Sequence, residues 1–200
     1  MGSHLLPRKE GIILTVVDII NELGIQGLST REIARRQGIS DGALFKHYKT
    51  KNDILLAVLD YFAQYDSDIL QSIEVLELKP KEAITYFVNA FAEYYENYPA
   101  ITAIDQAYDV LFCDPALAVK VKNIYTDRTD FIQKTIEQGQ KVGQICPDVD
   151  SDHLTHIVAG SFRSVCLSWR LNNYAFPLKE KILLTLKVIL DAFTPSVRQQ

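Results

Sequence analysis

The sequence lacks the features that would place it in a membrane or cross-link it covalently. No apolar run reaches the roughly 20 residues that a membrane-spanning helix needs, and no basic segment leads into a signal-like apolar stretch. Its three cysteines, Cys113, Cys146 and Cys166, are far apart and form no CxxC pair. This spacing argues against a disulfide framework and against a structural zinc site. We therefore expect a cytoplasmic protein that makes no membrane contact and keeps its thiols reduced.

Motifs for catalysis are missing as well. The sequence contains no glycine-rich phosphate loop, no GxSxG and no HExxH. His153 and His156 share a predicted helix face near Asp150 and Asp152, but these aspartates also suit the N-cap region of a helix, and nothing completes a set of metal ligands. We expect neither an enzyme nor a protein with a metal or a cofactor.

Helical periodicity, in contrast, runs along the whole chain. Hydrophobic residues make up 48% of the sequence and recur at spacings of three and four. Nine helices are expected, at residues 8–23, 30–37, 41–48, 52–72, 80–97, 100–112, 115–142, 151–171 and 178–193. We predict an all-α protein in which residues 1–4 are a tag remnant and residues 5–51 form a three-helix helix-turn-helix domain. Residues 52–200 then form a six-helix domain.

The second and third helices are expected to form the helix-turn-helix. Ser29 and Glu32 predict a capping box, Gly38 supplies a sharp turn, and Ser40 caps the third helix. The small core between the two helices is expected to contain Ile33, Ala34, Ile39, Leu44 and Tyr48. The opposite face of the third helix then points outward and presents Asp41, Gly42, Ala43, Phe45, Lys46 and His47. An exposed phenylalanine among small and basic residues suits a helix that enters the major groove of DNA.

The charge distribution fits this interpretation. The chain has a net charge of −4, yet residues 28–51 carry six basic and two acidic residues, a balance of +4. An acidic protein with one short basic segment can bind a polyanion there while the rest of its surface repels it. A solvated charged face would give the same count, so the charge alone does not decide between the two.

Residues 28–34 (LSTREIA) and 38–48 (GISDGALFKHY), followed by Lys51, resemble the DNA-binding signature of the TetR family, and the likeness spans about residues 10–60. The resemblance implies that Thr30 and Arg31 contact DNA at the start of the second helix. It also implies that Asp41, Gly42, Ala43 and Phe45 face the bases and the sugar–phosphate edge, and that His47 and Lys51 hold phosphates. Lys46 is counted with the DNA-binding residues, although its target stays open. Asp41 either accepts a hydrogen bond from a cytosine N4 or offsets charge at the helix N-terminus.

The remaining helices fit the effector-binding and dimerisation domain of that family in size and number. Aromatic residues at helical spacing there form either a packed core or the lining of a cavity, and the resemblance favours the cavity. The candidate lining residues are Tyr61, Phe62, Tyr65, Phe87, Phe91, Tyr94, Tyr108, Phe112, Tyr125, Phe162 and Trp169. No cluster of cations lies on these helices, and Arg163 and Arg170 are the only arginines on the eighth helix. We therefore expect a mainly apolar or aromatic effector.

The last two helices predict a contact between two copies of the chain. Gly160, Ser164 and Ser168 recur every four residues, and such a row of small residues lets another helix approach closely. The final helix is apolar nearly all round, which calls for burial on both sides. The predicted homodimer interface contains these three residues together with Ile182, Leu186, Ile189 and Phe193.

These expectations combine into a homodimeric transcriptional regulator. It binds a palindromic operator in double-stranded DNA, and a small apolar or aromatic effector releases this repressor from the operator. The alternative is a DNA-binding dimer without a small-molecule effector, which a protein partner regulates. A cavity in the larger domain would separate the two.

Overall fold

The computed structural model describes residues 8–195, and within them the chain is all-α, as predicted. Its ten α-helices are α1 (Arg8–Leu23), α2 (Thr30–Gln37), α3 (Asp41–Phe45), α4 (Lys51–Val75), α5 (Pro80–Asn97), α6 (Thr102–Gln106), α7 (Tyr108–Phe112), α8 (Pro115–Lys141), α9 (Ser151–Leu171) and α10 (Leu178–Ala192). Two 3-10 turns cover Ile25–Gly27 and Pro99–Ile101. The tag remnant predicted at residues 1–4 lies outside the described residues, as do residues 5–7 of the predicted N-terminal domain.

The helix count in this part of the chain is ten instead of nine because one predicted helix is divided. Residues 100–112 were expected to be continuous, but a 3-10 turn precedes α6, and Ala107 separates α6 from α7. The backbone N–H of Ala107 donates to the carbonyl of Ile104, three residues back, at 3.1 Å. Such a bond tightens the last turn of a helix and redirects the chain. No helix between residues 8 and 195 has a stretch long and apolar enough to cross a membrane.

The described chain divides into two compact units. The first contains the residues up to Tyr65 together with Pro99–Ile124, and the second contains Asp66–Tyr98 together with the residues from Tyr125 onward. This division differs from the predicted domain boundary at residues 51 and 52. The reason is that α1 packs against the 3-10 turn Pro99–Ile101 and against α6 as well as against α2. The division into a DNA-binding domain and an effector-binding domain stays a prediction about function.

Helix α1 provides much of the apolar core of the first unit. Ile12, Val16, Ile19 and Ile20 recur at spacings of three and four, and all four are buried. Removing such a side chain from water contributes about 1.5–3 kcal/mol. Further along the first unit, Asn52 of α4 donates from Nδ2 to Oδ2 of Asp114, the residue before α8, at 3.0 Å. Asp60 of α4 forms an ion pair with Lys120 of α8 at 2.6 Å.

The second unit is built around α10, which packs against α5 and α9. Ile182, Leu186 and Leu190 form the buried stripe of α10. The C-terminal end of this helix is held by Lys81 of α5, whose ammonium donates to the carbonyl of Leu190 at 3.2 Å and to the hydroxyl of Thr194. A cation at this position also complements the negative end of the helix dipole.

Candidate functional sites

Helices α2 and α3 form a compact helix-turn-helix, as the sequence predicts. The hydroxyl of Ser29 accepts the backbone N–H of Glu32 at 3.1 Å and caps α2, and the hydroxyl of Ser40 accepts the N–H of Ala43 at 3.2 Å and caps α3. Gly38 has a φ of 63°, in the left-handed region, and its N–H donates to the carbonyls of Ala34 and Arg35. Glycine adopts this φ without strain, which lets the chain turn sharply between the two helices.

The contact between α2 and α3 consists of apolar side chains that are largely shielded from solvent. Ile33, Ala34, Leu44 and Tyr48 are buried, as predicted, and Ile39 is half-buried. Burial raises the pKa of the Tyr48 hydroxyl. Helix α3 ends at Phe45 instead of continuing to residue 48. The carbonyl of Leu44 accepts the N–H groups of both residue 47 and residue 48, at 2.9 and 3.1 Å, and this doubling ends the regular helix while Tyr48 stays in the core.

Charged side chains fasten α2 to α1. Glu32 accepts hydrogen bonds from Arg35 and Arg36 at 2.7–2.8 Å, and Arg36 also donates to Glu22 of α1 at 2.8 Å. The two guanidinium groups, that of Arg35 first, lower the pKa of Glu32 from 4.5 to about 2. The second half of the predicted capping box is therefore not formed, because the two arginines engage the Glu32 carboxylate. Gln37 adds a hydrogen bond to the carbonyl of residue 11 at 2.9 Å.

The remaining cations of the basic segment are available to a ligand. Arg31, Lys46, Lys49 and Lys51 have no side-chain hydrogen bond or ion pair to any residue between 8 and 195. Asp53 accepts the backbone N–H groups of residues 49 and 50, at 3.1 and 2.9 Å, and so fixes the start of α4 at Lys51. Of the six cations in the basic segment, two arginines thus stabilise the helix-turn-helix through ion pairs, and the other four form none with the described residues.

The outer face of α3 is exposed as predicted. Phe45 leaves 41% of its surface in solvent, next to the buried Leu44. Asp41, Gly42 and Lys46 are exposed as well. The other residues assigned to DNA are distributed as follows: Ala43, His47, Thr30 and Lys51 are half-buried, and Arg31 is exposed. Together these residues form one stretch of surface around the capped N-terminus of α3.

The structure distributes the eleven candidate pocket residues unevenly. Phe87, Phe91, Tyr94 and Phe162 belong to one aromatic cluster of the second unit, in which Phe87 and Phe91 lie 4.9 Å apart between ring centroids. Trp169 lies on α9, is buried, and donates from Nε1 to the carbonyl of residue 176 at 2.8 Å. Phe62 and Tyr108 are buried, Tyr65 is half-buried, and Tyr61, Phe112 and Tyr125 are exposed. The exposed rings lie on helix faces that no neighbouring helix covers within their own unit.

Sequence reasoning missed the polar centre of the aromatic cluster. Arg128 of α8 donates to both carboxylate oxygens of Asp66 of α4, at 2.7 and 2.9 Å. Its guanidinium carbon lies 4.5 Å from the ring centroid of Phe91, and Nη1 is 3.5 Å from the hydroxyl of Tyr95. A signal was available, because both charges interrupt apolar stripes: Arg128 follows Leu117, Val121 and Ile124, and Asp66 lies between Phe62 and Ile69.

The cavities of the second unit differ in size. A cavity of about 10 Å³ beside Phe162 is lined by Val88, Val158, Ser161, Phe162, Val165, Ile182, Thr185 and Leu186. It has room for about one water molecule. A surface groove of about 630 Å³ runs between α5 and α10, from Leu78 to Asp191. The small cavity lies between α5, α9 and α10.

The predicted dimer residues fall into two groups. Gly160, Ser164 and Ser168 are exposed on α9, and a Cβ added to Gly160 would meet open space. Packing among the described residues therefore does not require a glycine at position 160. On α10, Ile182 and Leu186 are buried against α5 and α9, and Ile189 and Phe193 are half-buried. The apolar residues that α10 exposes are instead Leu184 and Val188, and α9 exposes Ile157, Leu167 and Leu171.

The histidines near the start of α9 pair with aspartates on the surface. Asp150 accepts the backbone N–H of His153 at 3.0 Å and caps the helix, and this hydrogen bond lowers the pKa of Asp150. His156 lies 3.6 Å from Asp152. Among the residues described, no group of three or more histidine, cysteine, aspartate or glutamate side chains is arranged to hold a metal ion.

These features define an all-α protein with a capped helix-turn-helix near its N-terminus and a larger helical region after it. Residues 12–58 match the profile of bacterial regulatory proteins of the tetR family. The tetracycline repressor protein class C of Escherichia coli is 36% identical over 53 residues, which are 26% of this chain and 24% of that protein. The chain thus matches about a quarter of the length of that relative.

Two further comparisons extend beyond the helix-turn-helix. The nucleoid occlusion factor SlmA of Actinobacillus pleuropneumoniae is 21% identical over 136 residues, which are 68% of this chain and 67% of that protein. The transcriptional regulator FadR of Bacillus subtilis, solved in complex with stearoyl-CoA, superposes with a TM-score of 0.79 at 18% identity over 92% of this chain and 98% of that chain. The last likeness shows the fold alone. The likeness to the tetR family thus covers residues 12–58, and the likeness in fold covers 92% of the chain.

Proposed function

We propose that this protein is a sequence-specific DNA-binding transcriptional regulator that acts as a homodimer. The observation that carries the proposal is the outer face of α3, where an exposed Phe45 follows a fully buried Leu44 on a helix whose N-terminus is capped. A helix-turn-helix places the N-terminal residues of its second helix against base edges in the major groove. Asp41, Gly42 and Ala43 occupy these positions.

The contacts divide into those that position the protein and those that read sequence. Arg31, Lys46, Lys49 and Lys51 are the cations that phosphates attract, since Arg35 and Arg36 are engaged by glutamates. Phosphate contacts fix the register of the protein on the duplex without carrying sequence information. Phe45 and Ala43 supply apolar contacts of the kind that a thymine methyl group accepts.

The dimer is proposed on the exposed surface of α9 and α10, which we call the small-residue surface. It contains Ile157, Gly160, Ser164, Leu167, Ser168, Leu171, Leu184 and Val188. Relative to the interface expected from the sequence, Leu184 and Val188 take the place of Ile182 and Leu186, which the core of the second unit covers. A two-fold dimer of this kind presents two copies of α3 to a palindromic operator.

Regulation by a small effector is the next part of the proposal. The aromatic cluster around Phe91 supplies apolar side chains with few polar groups, which is the chemistry that a small-molecule site requires, and its Phe162 borders the small cavity. Similarity in fold to a regulator that was solved with stearoyl-CoA supports an effector with a large apolar part. We propose that such an effector releases a repressor from its operator.

A second candidate is a DNA-binding dimer that a protein partner regulates. The surface groove of about 630 Å³ between α5 and α10 favours it, because this groove offers a partner protein a larger site than the small cavity offers an effector. The two candidates differ in the expected response to apolar small molecules, because only the first loses its operator when such a compound binds.

The experiment that tests the proposal is selection of bound duplexes from a random library, followed by titration of the selected duplex. Wild-type protein should enrich one palindrome, and Phe45→Ala should fail to enrich it while keeping its helical circular dichroism. Leu23→Ala is the matched control, since Leu23 is a large exposed apolar residue at the end of α1. If neither wild-type protein nor Leu23→Ala enriched any sequence from the library, the proposed function would be contradicted.

A further inference from the structure

The pair of Asp66 and Arg128 is a buried ion pair inside the aromatic cluster. Asp66 is 8% exposed, and the Arg128 side chain is 17% exposed. The guanidinium engages both carboxylate oxygens side-on, at 2.7 and 2.9 Å. This bidentate geometry is the one with which arginine recognises planar carboxylates.

Stability alone does not account for two charges in this place. Removing an ion pair from water costs about as much free energy as the attraction in the interior returns, and apolar replacements of the same size are often as stable. Both residues lie on stripes that are otherwise apolar, between Phe62 and Ile69 on α4 and between Ile124 and Ile132 on α8. Buried polar groups that converge within an apolar lining are typical of ligand sites.

The surroundings keep Arg128 in place independently of Asp66. Its guanidinium lies over the ring of Phe91 at 4.5 Å and 3.5 Å from the hydroxyl of Tyr95. Tyr95 in turn contacts Phe162, with 5.6 Å between ring centroids, and Phe162 borders the small cavity between α5, α9 and α10. A row of rings in contact therefore extends from the charged pair to the small cavity.

We propose that Arg128 binds the carboxylate head of an amphiphilic acid, and that Asp66 occupies this position when the acid is absent. The incoming carboxylate presents the same two oxygens as Asp66, while the apolar tail lies along Tyr95 and Phe162. An organic cation fits less well, since it would have to displace a guanidinium that an ion pair, a ring and a hydroxyl hold together. This inference rests on the proposed regulation by a small effector, whose chemical class it names.

The exchange also has a mechanical consequence within the chain. Asp66 lies on α4, one continuous helix that begins at Lys51, six residues after α3 ends. Displacing Asp66 from Arg128 removes a connection between α4 and α8. Binding of the acid is thereby coupled to the helix that follows the helix-turn-helix directly.

The test compares head groups on one tail, with dodecanoate, 1-dodecanol and dodecylammonium titrated below their micelle-forming concentrations by calorimetry. Wild-type protein should bind dodecanoate at least tenfold more tightly than the alcohol or the ammonium compound. Asp66→Asn should tighten dodecanoate binding several-fold, because it removes the internal competitor but keeps the shape. If the pair were purely structural, Asp66→Asn would lower the free energy of unfolding without tightening dodecanoate binding. Asp130→Asn is the matched control, since Asp130 forms an exposed pair with Lys134 on α8.

Arginine variants complete the test. Arg128→Lys keeps the positive charge but loses the two parallel donors of the guanidinium, so it should reduce the preference for dodecanoate. Arg128→Gln should abolish this preference. Equal binding of the three head groups, a preference for dodecylammonium, or no dodecanoate binding to Asp66→Asn would each overturn the inference. Binding of the variants to the selected duplex is measured separately. Absence of duplex binding would contradict the proposed function. The head-group comparison would still show whether Arg128 binds a carboxylate.

Discussion

Two exposed surfaces of this protein depart from ordinary polar surface in opposite ways. The recognition surface, defined by Asp41, Gly42, Ala43, Phe45 and Lys46 at α3, combines one aromatic ring with one cation that has no partner among the described residues. The small-residue surface on α9 and α10 exposes apolar and small side chains, among them Gly160, Leu167 and Val188. The difference teaches that exposure of apolar groups does not by itself identify a partner. The surrounding charge does, because a polyanion needs cations and a second copy of an apolar surface needs none.

The largest effect is expected from a charge placed on the small-residue surface. Val188→Asp, at a residue that is 70% exposed, should leave the isolated chain folded but abolish the dimer, because two buried like charges would face each other. Operator affinity should fall by about 10³-fold, toward non-specific binding. Sedimentation and duplex titration measure both effects. Val119→Asp on α8 is the matched control, since Val119 is equally exposed. If both variants remained dimers, the interface would be misplaced.

Neighbouring residues on α3 sharpen the comparison between core and surface. Leu44→Ala should destabilise the protein by about 2–5 kcal/mol, because it leaves a cavity at a fully buried position. Phe45→Ala should change the free energy of unfolding by only about 0.5 kcal/mol. It should nevertheless reduce discrimination between operator and unrelated duplex by about 1–3 kcal/mol. Chemical denaturation and competition binding separate the two effects. Equal loss of stability in both variants would mean that Phe45 belongs to the core.

Cations of the basic segment should differ in their effect on salt dependence. Lys51→Ala removes a cation that has no partner among the described residues, so the slope of log affinity against log salt should flatten by about 0.9 for each protomer, or about 1.8 for the dimer. Arg35→Ala is the internal comparison, because Glu32 already engages Arg35. It should change the slope less. Binding titrations at several salt concentrations measure the slopes, and identical slopes for Lys51→Ala and wild type would remove Lys51 from the phosphate contacts.

The smallest effect concerns pH. The arginines lower the pKa of Glu32 to about 2 in the folded state, so its contribution to stability is present above pH 4.5 and is lost as the pH falls toward 2. Glu32→Gln should therefore be slightly less stable than wild type at neutral pH. The difference between the two should shrink over this acidic range. Denaturation curves recorded between pH 2 and 7 follow it, and a constant difference would contradict the role of Glu32.

The helix-turn-helix was predictable because its determinants are local. The caps Ser29 and Ser40, the turn at Gly38 and the buried Leu44 act over a few residues, so the spacing alone predicts them. The interruption at Ala107 was not predictable in the same way. The spacing of apolar residues continues unchanged through the hydrogen bond from Ala107 to Ile104, which is of the 3-10 type. It divides a helix without changing the apolar pattern.

The helical region after α3 was predictable only in part, because its contacts join distant residues. Asp66 and Arg128 are separated by 62 positions, and each by itself is only a charge on a helix. Their places on apolar stripes were the available signal. On α10, apolar residues occur all round, so the sequence could not decide that Ile182 faces the core and Val188 faces solvent.

The central claim is that α3 reads a palindromic operator from a symmetric dimer, and footprinting on the selected duplex tests it most directly. The account predicts two protected half-sites of the same sequence, with centres about one helical turn or a multiple of it apart. Phe45→Ala should lose protection of both half-sites together. Protection of a single asymmetric site, or unchanged protection by Phe45→Ala, would contradict the claim.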